Sequence, residues 1–142
     1  MYIELSEIYA EVGINFPLSY RFGKLLMKKL QLIAPEVTAR LKQMYGAGYG
    51  FWIILSSRKN VTSFEIKGPS VSKRHKEVEY TVFITHDIAG RDSFLQDYLA
   101  LLIPALQTVF APVADGEKVT AILKEFAEEV LQNEAYFIDH DE

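Results

Sequence analysis

Three segments in the middle of the chain have the composition of β-strands, and no helical pattern separates one from the next. Residues 51–56, 61–66 and 78–85 are rich in β-branched and aromatic residues, whereas helical spacing of apolar residues returns on either side of this region. Because no helix separates them, we predict that the three strands pair in chain order as an antiparallel meander. Strands that are segregated from helices in this way are typical of the α+β class.

A fourth strand is predicted near the start of the chain. Apolar residues alternate with polar or small ones over residues 8–16, which is the period of a half-buried strand. Pro17 ends this segment, and Ser19 is the predicted N-cap of the helix that follows. The prediction is therefore a four-stranded, mainly antiparallel sheet with helices packed mostly on one face.

The helices are predicted from apolar residues that lie three and four positions apart. The first helix carries basic residues on its polar face, and Pro35 then marks either a kink or the first turn of a second short helix. A later helix is capped by Asp92 or Ser93, and the last one follows a break at residues 112–116. The predicted order is β-α-β-β-β-α-α in a single α+β domain, residues 1–142, whose acidic end from about residue 135 to residue 142 is expected to fray. The predicted buried positions are Phe22, Leu25, Leu26, Leu30, Ile33, Val37, Leu41, Met44, Phe94, Leu95, Tyr98, Leu99, Leu102, Leu106, Val109, Phe110, Val119, Ile122, Leu123, Phe126, Val130 and Leu131.

The size of the chain and its lack of cysteine limit the function classes. With 142 residues and a mass of 16.2 kDa, it suits one domain that needs no disulfide or structural metal. The absence of cysteine excludes thiolate catalysis and cysteine-ligated metals, and it is typical of a reducing compartment. The first residues lack the pattern of a signal peptide, and the longest apolar run, residues 98–106, is far shorter than the roughly 20 residues that span a bilayer. We therefore expect a cytoplasmic protein that does not enter a membrane.

Neither the histidines nor the glycines form a catalytic motif. The three histidines lack the spacing of metal ligands, and the pair His86-Asp87 is better explained by an exposed turn. The glycine-rich segment at residues 46–50 precedes a strand instead of opening a helix, so it does not match a phosphate-binding loop. We expect a non-enzymatic protein without a cofactor or a metal.

Charge is distributed unevenly along the chain. Residues 1–76 contain 12 basic and 5 acidic side chains, residues 77–142 contain 3 and 14, and the formal net charge is −4. An acidic balance disfavours binding to nucleic acid. Three interpretations of the acidic end are open: a solvated helix face, a surface that neutralises the basic half of the same chain, or a docking surface for a basic partner. For a docking surface, the predicted contact residues are Glu125, Glu128, Glu129 and Glu134, with Trp52 and Tyr80 as aromatic anchors.

The chain resembles bacterial immunity proteins of polymorphic-toxin and contact-dependent growth inhibition systems in three segments. These are the alternating segment IYAEVGINFP at residues 8–17, the basic amphipathic helix after it and the run GFWII at residues 50–54. This resemblance implies a cytoplasmic protein that binds one cognate toxin domain and blocks its active site. A small, acidic α+β chain is also typical of type III secretion chaperones, which are dimers that bind an extended effector segment. A small-molecule-binding domain is the third alternative. Both a monomer and a homodimer are compatible with these interpretations.

Overall fold

The structure is a computed structural model that describes the backbone of residues 3–5 and the whole of residues 18–138. The strand predicted at residues 8–16 lies outside these described residues. The α-helices are α1 (Tyr20–Leu30), α2 (Ala34–Tyr45), α3 (Phe94–Phe110), α4 (Gly116–Gln132) and α5 (Glu134–Phe137), and 3₁₀ turns cover Gln31–Ile33 and His86–Ile88. The strands are β1 (Ile3–Leu5), β2 (Gly50–Arg58), β3 (Phe64–Ser72) and β4 (Glu77–Thr85). Among these described helices, none is both long enough and apolar enough to cross a membrane.

The sheet is mixed, with the strand order β1-β2-β4-β3. β2 and β4 are parallel and in register from Gly50 opposite Glu77 to Arg58 opposite Thr85, and the three residues of β1 pair in parallel with β2. Among the described strands, only β3 runs antiparallel to its neighbour, which is β4. The chain is α+β, but the predicted meander and the mainly antiparallel four-stranded sheet are wrong, because three long strands form a mixed sheet to which β1 adds only a short edge.

The strand order follows from how apolar each strand is. β4 has buried side chains on both faces, with Val82 and Ile84 on one side and Phe83 on the other, so it suits the centre of the sheet. β3 is mostly exposed and contains Pro69, which has no N–H to donate and is tolerated at a sheet edge. The chain therefore places β3 outermost and returns through the turn at residues 73–76, which inserts β4 beside β2.

β3 also begins and ends later than the sequence predicts. A strand was expected at residues 61–66 and a polar connection from residue 68, but β3 continues through Gly68 with a register shift between Lys67 and Ser70. Gly68 has a φ of +128°, and a Cβ at this position would lie 2.7 Å from the main-chain oxygen of Glu79. The missing side chain lets the edge strand continue this close to β4.

The core lies between the helices and one face of the sheet. Alternate strand residues such as Phe51, Ile53 and Val82 are buried against helical side chains, whereas Trp52 and Phe83 lie on the opposite face of the sheet. The burial predicted for the helices is confirmed at most positions. The buried members of the predicted set are Phe22, Leu26, Leu30, Ile33, Val37, Leu41, Phe94, Leu95, Tyr98, Leu99, Leu102, Leu106, Val109, Phe110, Val119, Leu123, Phe126 and Val130.

α2 confirms one prediction and corrects another. The helix begins at Ala34, so Pro35 lies in its first turn, where the missing N–H breaks no helical hydrogen bond. Met44 was predicted to be buried, but it is 49% exposed. The apolar face of α2 instead continues from Leu41 to Tyr45, whose ring centroid lies 5.6 Å from that of Tyr49.

An aromatic cluster joins three of the helices. The ring of Phe22 in α1 packs edge-to-face against Tyr98 of α3 at 5.7 Å and against Phe126 of α4 at 5.2 Å. α5 follows directly after α4, in a segment that was expected to belong to a frayed acidic end, and its Phe137 is buried. This packing fixes α1 and α4 side by side, which is the arrangement that positions the candidate site.

Candidate functional site

A groove of about 550 Å³ lies on the outer surface between α1 and α4 and ends at α5. α1 and α4 run antiparallel there, since the end of α1 contacts the middle of α4 and the start of α1 contacts α5. We call this feature the α1–α4 groove. Its lining residues are Tyr20, Arg21, Lys24, Leu25 and Lys28 from α1, Glu129 from α4, Asn133 from the junction, and Tyr136 and Phe137 from α5.

Hydrogen bonds hold α5 against the first turn of α1. The N–H of Ser19 donates to the carbonyl oxygen of Phe137 at 2.8 Å, and the Ser19 hydroxyl donates to the carbonyl oxygen of Tyr136 at 3.2 Å. Leu18 and Ile138 form an isolated antiparallel bridge beside them. Ser19 is the N-cap residue of α1, as predicted, but its side chain contacts α5 instead of capping the helix. One end of the groove is therefore fixed by main-chain contacts.

Tyrosine rings flank a guanidinium group at this end of the groove. The guanidinium carbon of Arg21 lies 4.5 Å from the ring centroid of Tyr136 and 5.3 Å from that of Tyr20. The Lys24 ammonium lies 5.7 Å from the Tyr20 centroid. Tyr20 is 68% exposed and Tyr136 is 49% exposed. Contacts of this kind contribute about 0.5–1 kcal/mol at exposed sites, and they orient Arg21 without neutralising its charge.

The cations of α1 fall into two groups. Lys29 is committed to α4, because its ammonium lies 2.6 Å from a carboxylate oxygen of Glu125 and 3.7 Å from one of Glu129. The hydrogen bond to Glu125 raises the pKa of Lys29 above its ordinary value, and partial desolvation opposes this rise. Within residues 18–138, by contrast, the three cations that line the groove have no ion-pair partner; they are Arg21, Lys24 and Lys28.

The four predicted contact glutamates lie on α4 and α5, and they differ in whether they form an ion pair. All four are exposed on α4 and α5. Glu125 and Glu129 form ion pairs with Lys29, so part of the acidic half is indeed neutralised by the basic half. Glu128 and Glu134 have no ion pair among the residues that the structure describes. Neither carboxylate is among the lining residues, but each is next in sequence to one, Glu128 to Glu129 and Glu134 to Asn133, and we call this pair the acidic rim.

The two predicted aromatic anchors do not belong to this surface. Trp52 pairs in register with Glu79, and Tyr80 pairs with Ile53, so the two aromatic side chains point to opposite faces of the sheet. Tyr80 packs at 5.6 Å from the Phe51 ring beside the core, and its burial raises its pKa. The structure therefore separates Trp52 and Tyr80 from each other and from the glutamates.

Sequence reasoning did not identify the groove residues themselves. Arg21, Lys24 and Lys28 were seen only as the polar face of a basic helix, and Tyr20 and Tyr136 were not singled out. The signal that was present is the helical spacing of these three cations next to an aromatic residue. The position of Tyr136 opposite them depends on tertiary packing.

A second polar cluster lies where β2 and β4 end side by side. Ser56, Ser57 and Thr85 are buried there, and the Thr85 hydroxyl accepts a hydrogen bond from the N–H of Asp87 at 3.2 Å. His86 opens a 3₁₀ turn, as predicted, but the prediction that it is exposed is wrong, because His86 is half-buried and its Nδ1 atom is buried. Across the described part of the chain, no three histidine, aspartate or glutamate side chains are grouped so that they could hold a metal ion.

The fold and the groove define an α+β chain with a mixed sheet and a cationic, aromatic groove on its helical side. Comparisons with protein-family models, with curated proteins and with solved structures find no match for this chain. What the chain binds is therefore inferred from the chemistry of the groove.

Proposed function

We propose that the chain is a non-enzymatic protein that binds another protein through the α1–α4 groove and its acidic rim. The observation that carries this proposal is the placement of Arg21 between two half-exposed tyrosines, Tyr20 and Tyr136, in an open groove. Tyrosine and arginine are the side chains most enriched among those that dominate protein–protein binding energy. Burying the exposed part of one such tyrosine contributes about 1–2 kcal/mol, so two of them and the arginine are sufficient for an anchored interface.

The partner that we propose is a bacterial toxin domain, which the chain neutralises in the cytoplasm as an immunity protein does. This proposal is supported by the resemblance described above and by the charges around the groove. A basic toxin domain would meet Glu128 and Glu134 on the rim, and the net charge of −4 would accelerate its approach. Binding at this surface would cover the toxin's active site and leave the chain itself chemically unchanged.

The test is protection of cells against the toxin encoded beside this chain. Wild-type protein should co-purify with the toxin domain and restore growth. The double variant Tyr20→Ala/Tyr136→Ala should bind at least about tenfold more weakly, since it lacks both aromatic anchors. Leu32→Ala is the matched control, because Leu32 is 72% exposed but does not line the groove. Failure of the wild-type chain to protect would refute the proposal, as would full protection by the double variant.

The acidic rim is tested by association kinetics. Glu128→Lys/Glu134→Lys should slow association with the toxin domain several-fold at low salt, and the difference should shrink as salt rises. Glu117→Lys is the control at the other end of α4, about 16 Å from Glu128 along the helix and beyond one Debye length at 0.1 M salt. Equal association rates for the rim and control variants would place the contact surface elsewhere.

A further inference from the structure

We propose that the α1–α4 groove takes an acidic peptide segment of its partner, whose aspartate or glutamate carboxylates contact Arg21, Lys24 and Lys28. This inference rests on the proposed function, because it names the part of the partner protein that enters the groove. It also revises the picture of a uniformly basic partner. The partner surface would be basic opposite the rim and acidic opposite the groove floor.

The three cations are spaced closely enough along α1 for their long side chains to reach alternate residues of an extended peptide. At 1.5 Å per residue, Arg21 and Lys24 are about 4.5 Å apart along α1, and Lys24 and Lys28 are about 6 Å apart. In an extended chain, alternate side chains point to the same side and are about 6.6 Å apart. A peptide segment with carboxylates at alternate positions would therefore contact successive cations along the helix.

The cations of the groove are available and partly oriented. Lys29, which follows directly on α1, is already paired with α4, whereas the three cations in the groove have no ion-pair partner within residues 18–138. Arg21 is half-buried between the two tyrosine rings, so less side-chain entropy is lost when it binds a carboxylate. A guanidinium group can also donate two parallel hydrogen bonds to the two oxygens of one carboxylate.

The rest of the groove suits an apolar side chain on the same segment. Leu25 and the buried Phe137 contribute apolar surface to the lining, and the rings of Tyr20 and Tyr136 stand at its edge. An acidic segment with one leucine or aromatic residue would bury that side chain here. The combination of carboxylates and one apolar residue is what the groove would select.

A peptide fits this surface better than a nucleic acid. A nucleic acid carries a negative charge at every phosphate and would be repelled by Glu129, which lines the groove, and by the exposed carboxylates of α4 and α5. The chain as a whole is also acidic, with a net charge of −4. The positive surface is local, which suits a short segment with a few carboxylates.

The experiment measures fluorescence anisotropy of the full chain with labelled probes. The main probe is a fluorescein-labelled peptide of about eight residues with three glutamates at alternate positions and one leucine. Its counterpart has glutamine in place of each glutamate, and the third probe is a labelled oligothymidylate of similar length. The acidic peptide should bind with a Kd below about 1 mM and at least about tenfold more tightly than its glutamine counterpart, and it should bind more weakly at higher salt.

A charge-matched pair of variants locates the binding. R21Q/K24Q/K28Q should lose at least about tenfold in affinity for the acidic peptide, with unchanged far-UV circular dichroism. The control variant removes three exposed lysines outside the groove lining and should bind like the wild type; these are Lys42, Lys59 and Lys73.

The outcomes separate this inference from the proposed function. Equal binding of the acidic and glutamine peptides overturns the inference, and so does an unchanged affinity of the groove variant. Oligothymidylate that binds as tightly as the acidic peptide, and is lost in the same groove variant, also overturns it in favour of a nucleic-acid site. If cells are protected from the toxin but the acidic peptide does not bind, only this inference fails. If the peptide binds the groove but cells are not protected, only the toxin proposal fails.

Discussion

Replacing Phe22 by alanine should lower the free energy of unfolding by about 4 kcal/mol. Phe22 is fully buried, and its ring packs edge-to-face against Tyr98 and Phe126. Burying a phenylalanine removes about 150–250 Å² from water, which at about 25 cal/mol per Å² gives an upper value of about 4–6 kcal/mol. Core phenylalanine-to-alanine replacements cost about 3–5 kcal/mol, including the cavity that they leave. The two ranges overlap near 4 kcal/mol, a large share of the roughly 5–15 kcal/mol that stabilises an ordinary domain.

This substitution tests the helix pair on which the groove depends, since the Phe22 ring contacts Tyr98 of α3 and Phe126 of α4. Urea unfolding, followed by Trp52 fluorescence and by far-UV circular dichroism, measures the change. For a chain of this size, about 4 kcal/mol corresponds to a fall in Tm of about 8–16 °C. Tyr20→Ala is the control on the same helix: Tyr20 is 68% exposed, so its loss should change stability by less than about 0.5 kcal/mol. A loss for Phe22→Ala of under about 1.5 kcal/mol, or one equal to the control, would refute the packing of α1 against α3 and α4.

Three other positions give stability predictions that the same unfolding assay can measure. Complete burial raises the pKa of Tyr98 well above 10.0, so its neutral phenol stabilises the fold below pH 10, and this contribution is lost as the pH rises above 10. Tyr98→Phe should therefore reduce the fall in Tm between pH 9 and pH 11, and an equal fall in both proteins would contradict this. Gly68→Ala places a side chain on a backbone with a φ of +128° and should lower the free energy of unfolding by about 1–3 kcal/mol. Gly90→Ala is the control: no heavy atom lies within 4 Å of the added Cβ, so the change should be under about 0.5 kcal/mol, and similar losses for the two variants would refute the argument. Asp115→Ala removes the side chain that accepts a hydrogen bond from the N–H of Glu117 at 3.3 Å, and it should lower the free energy of unfolding by about 1 kcal/mol. Asp115→Asn should retain most of the capping, and unchanged stability of the alanine variant would show that the cap contributes nothing.

The helices were predictable because their signals are local. The spacing of Phe22, Leu26 and Leu30 defines a helix face without any knowledge of what covers it. Pro35 favours a helix that begins next to it, because a proline in the first turn breaks no helical hydrogen bond, and α2 begins at Ala34. Ser93 was one of two predicted caps for α3, and it is the N-cap residue in the structure. Each of these signals acts within a few residues along the chain.

The pairing of the strands was not predictable in the same way, because it depends on contacts between distant segments. Adjacent strands without a helix between them suggested a meander, yet β4 takes the place beside β2. Two features of the sequence favour the observed order. β4 has apolar residues at consecutive positions, Val82 and Phe83, which is typical of a strand buried on both faces. Pro69 in β3 favours an edge strand.

The candidate site shows the same division between local and tertiary information. Counting charges along the chain identified an acidic C-terminal half and a basic helix, but not which cations would be neutralised. That outcome depends on how far α1 is shifted along α4. With the observed alignment, Lys29 reaches Glu125 and Glu129, and Arg21 lies next to Tyr136.

The ion pairs of Lys29 with Glu125 and Glu129 fix which cation of α1 is paired with α4 and which cations line the groove. If α1 were shifted by one turn along α4, about 5.4 Å, another residue of α1 would lie opposite Glu125 and Glu129 in place of Lys29. The two hydrogen bonds that the N–H and the hydroxyl of Ser19 donate to α5 oppose such a shift, since they join the start of α1 to the residues after α4. The alignment is therefore held at both ends, by the ion pairs of Lys29 at one end and by the hydrogen bonds of Ser19 at the other. Because this alignment opposes sliding of the helices, Arg21, Lys24 and Lys28 remain without an ion-pair partner within residues 18–138, and they are the charges that we propose an acidic segment of the partner protein contacts.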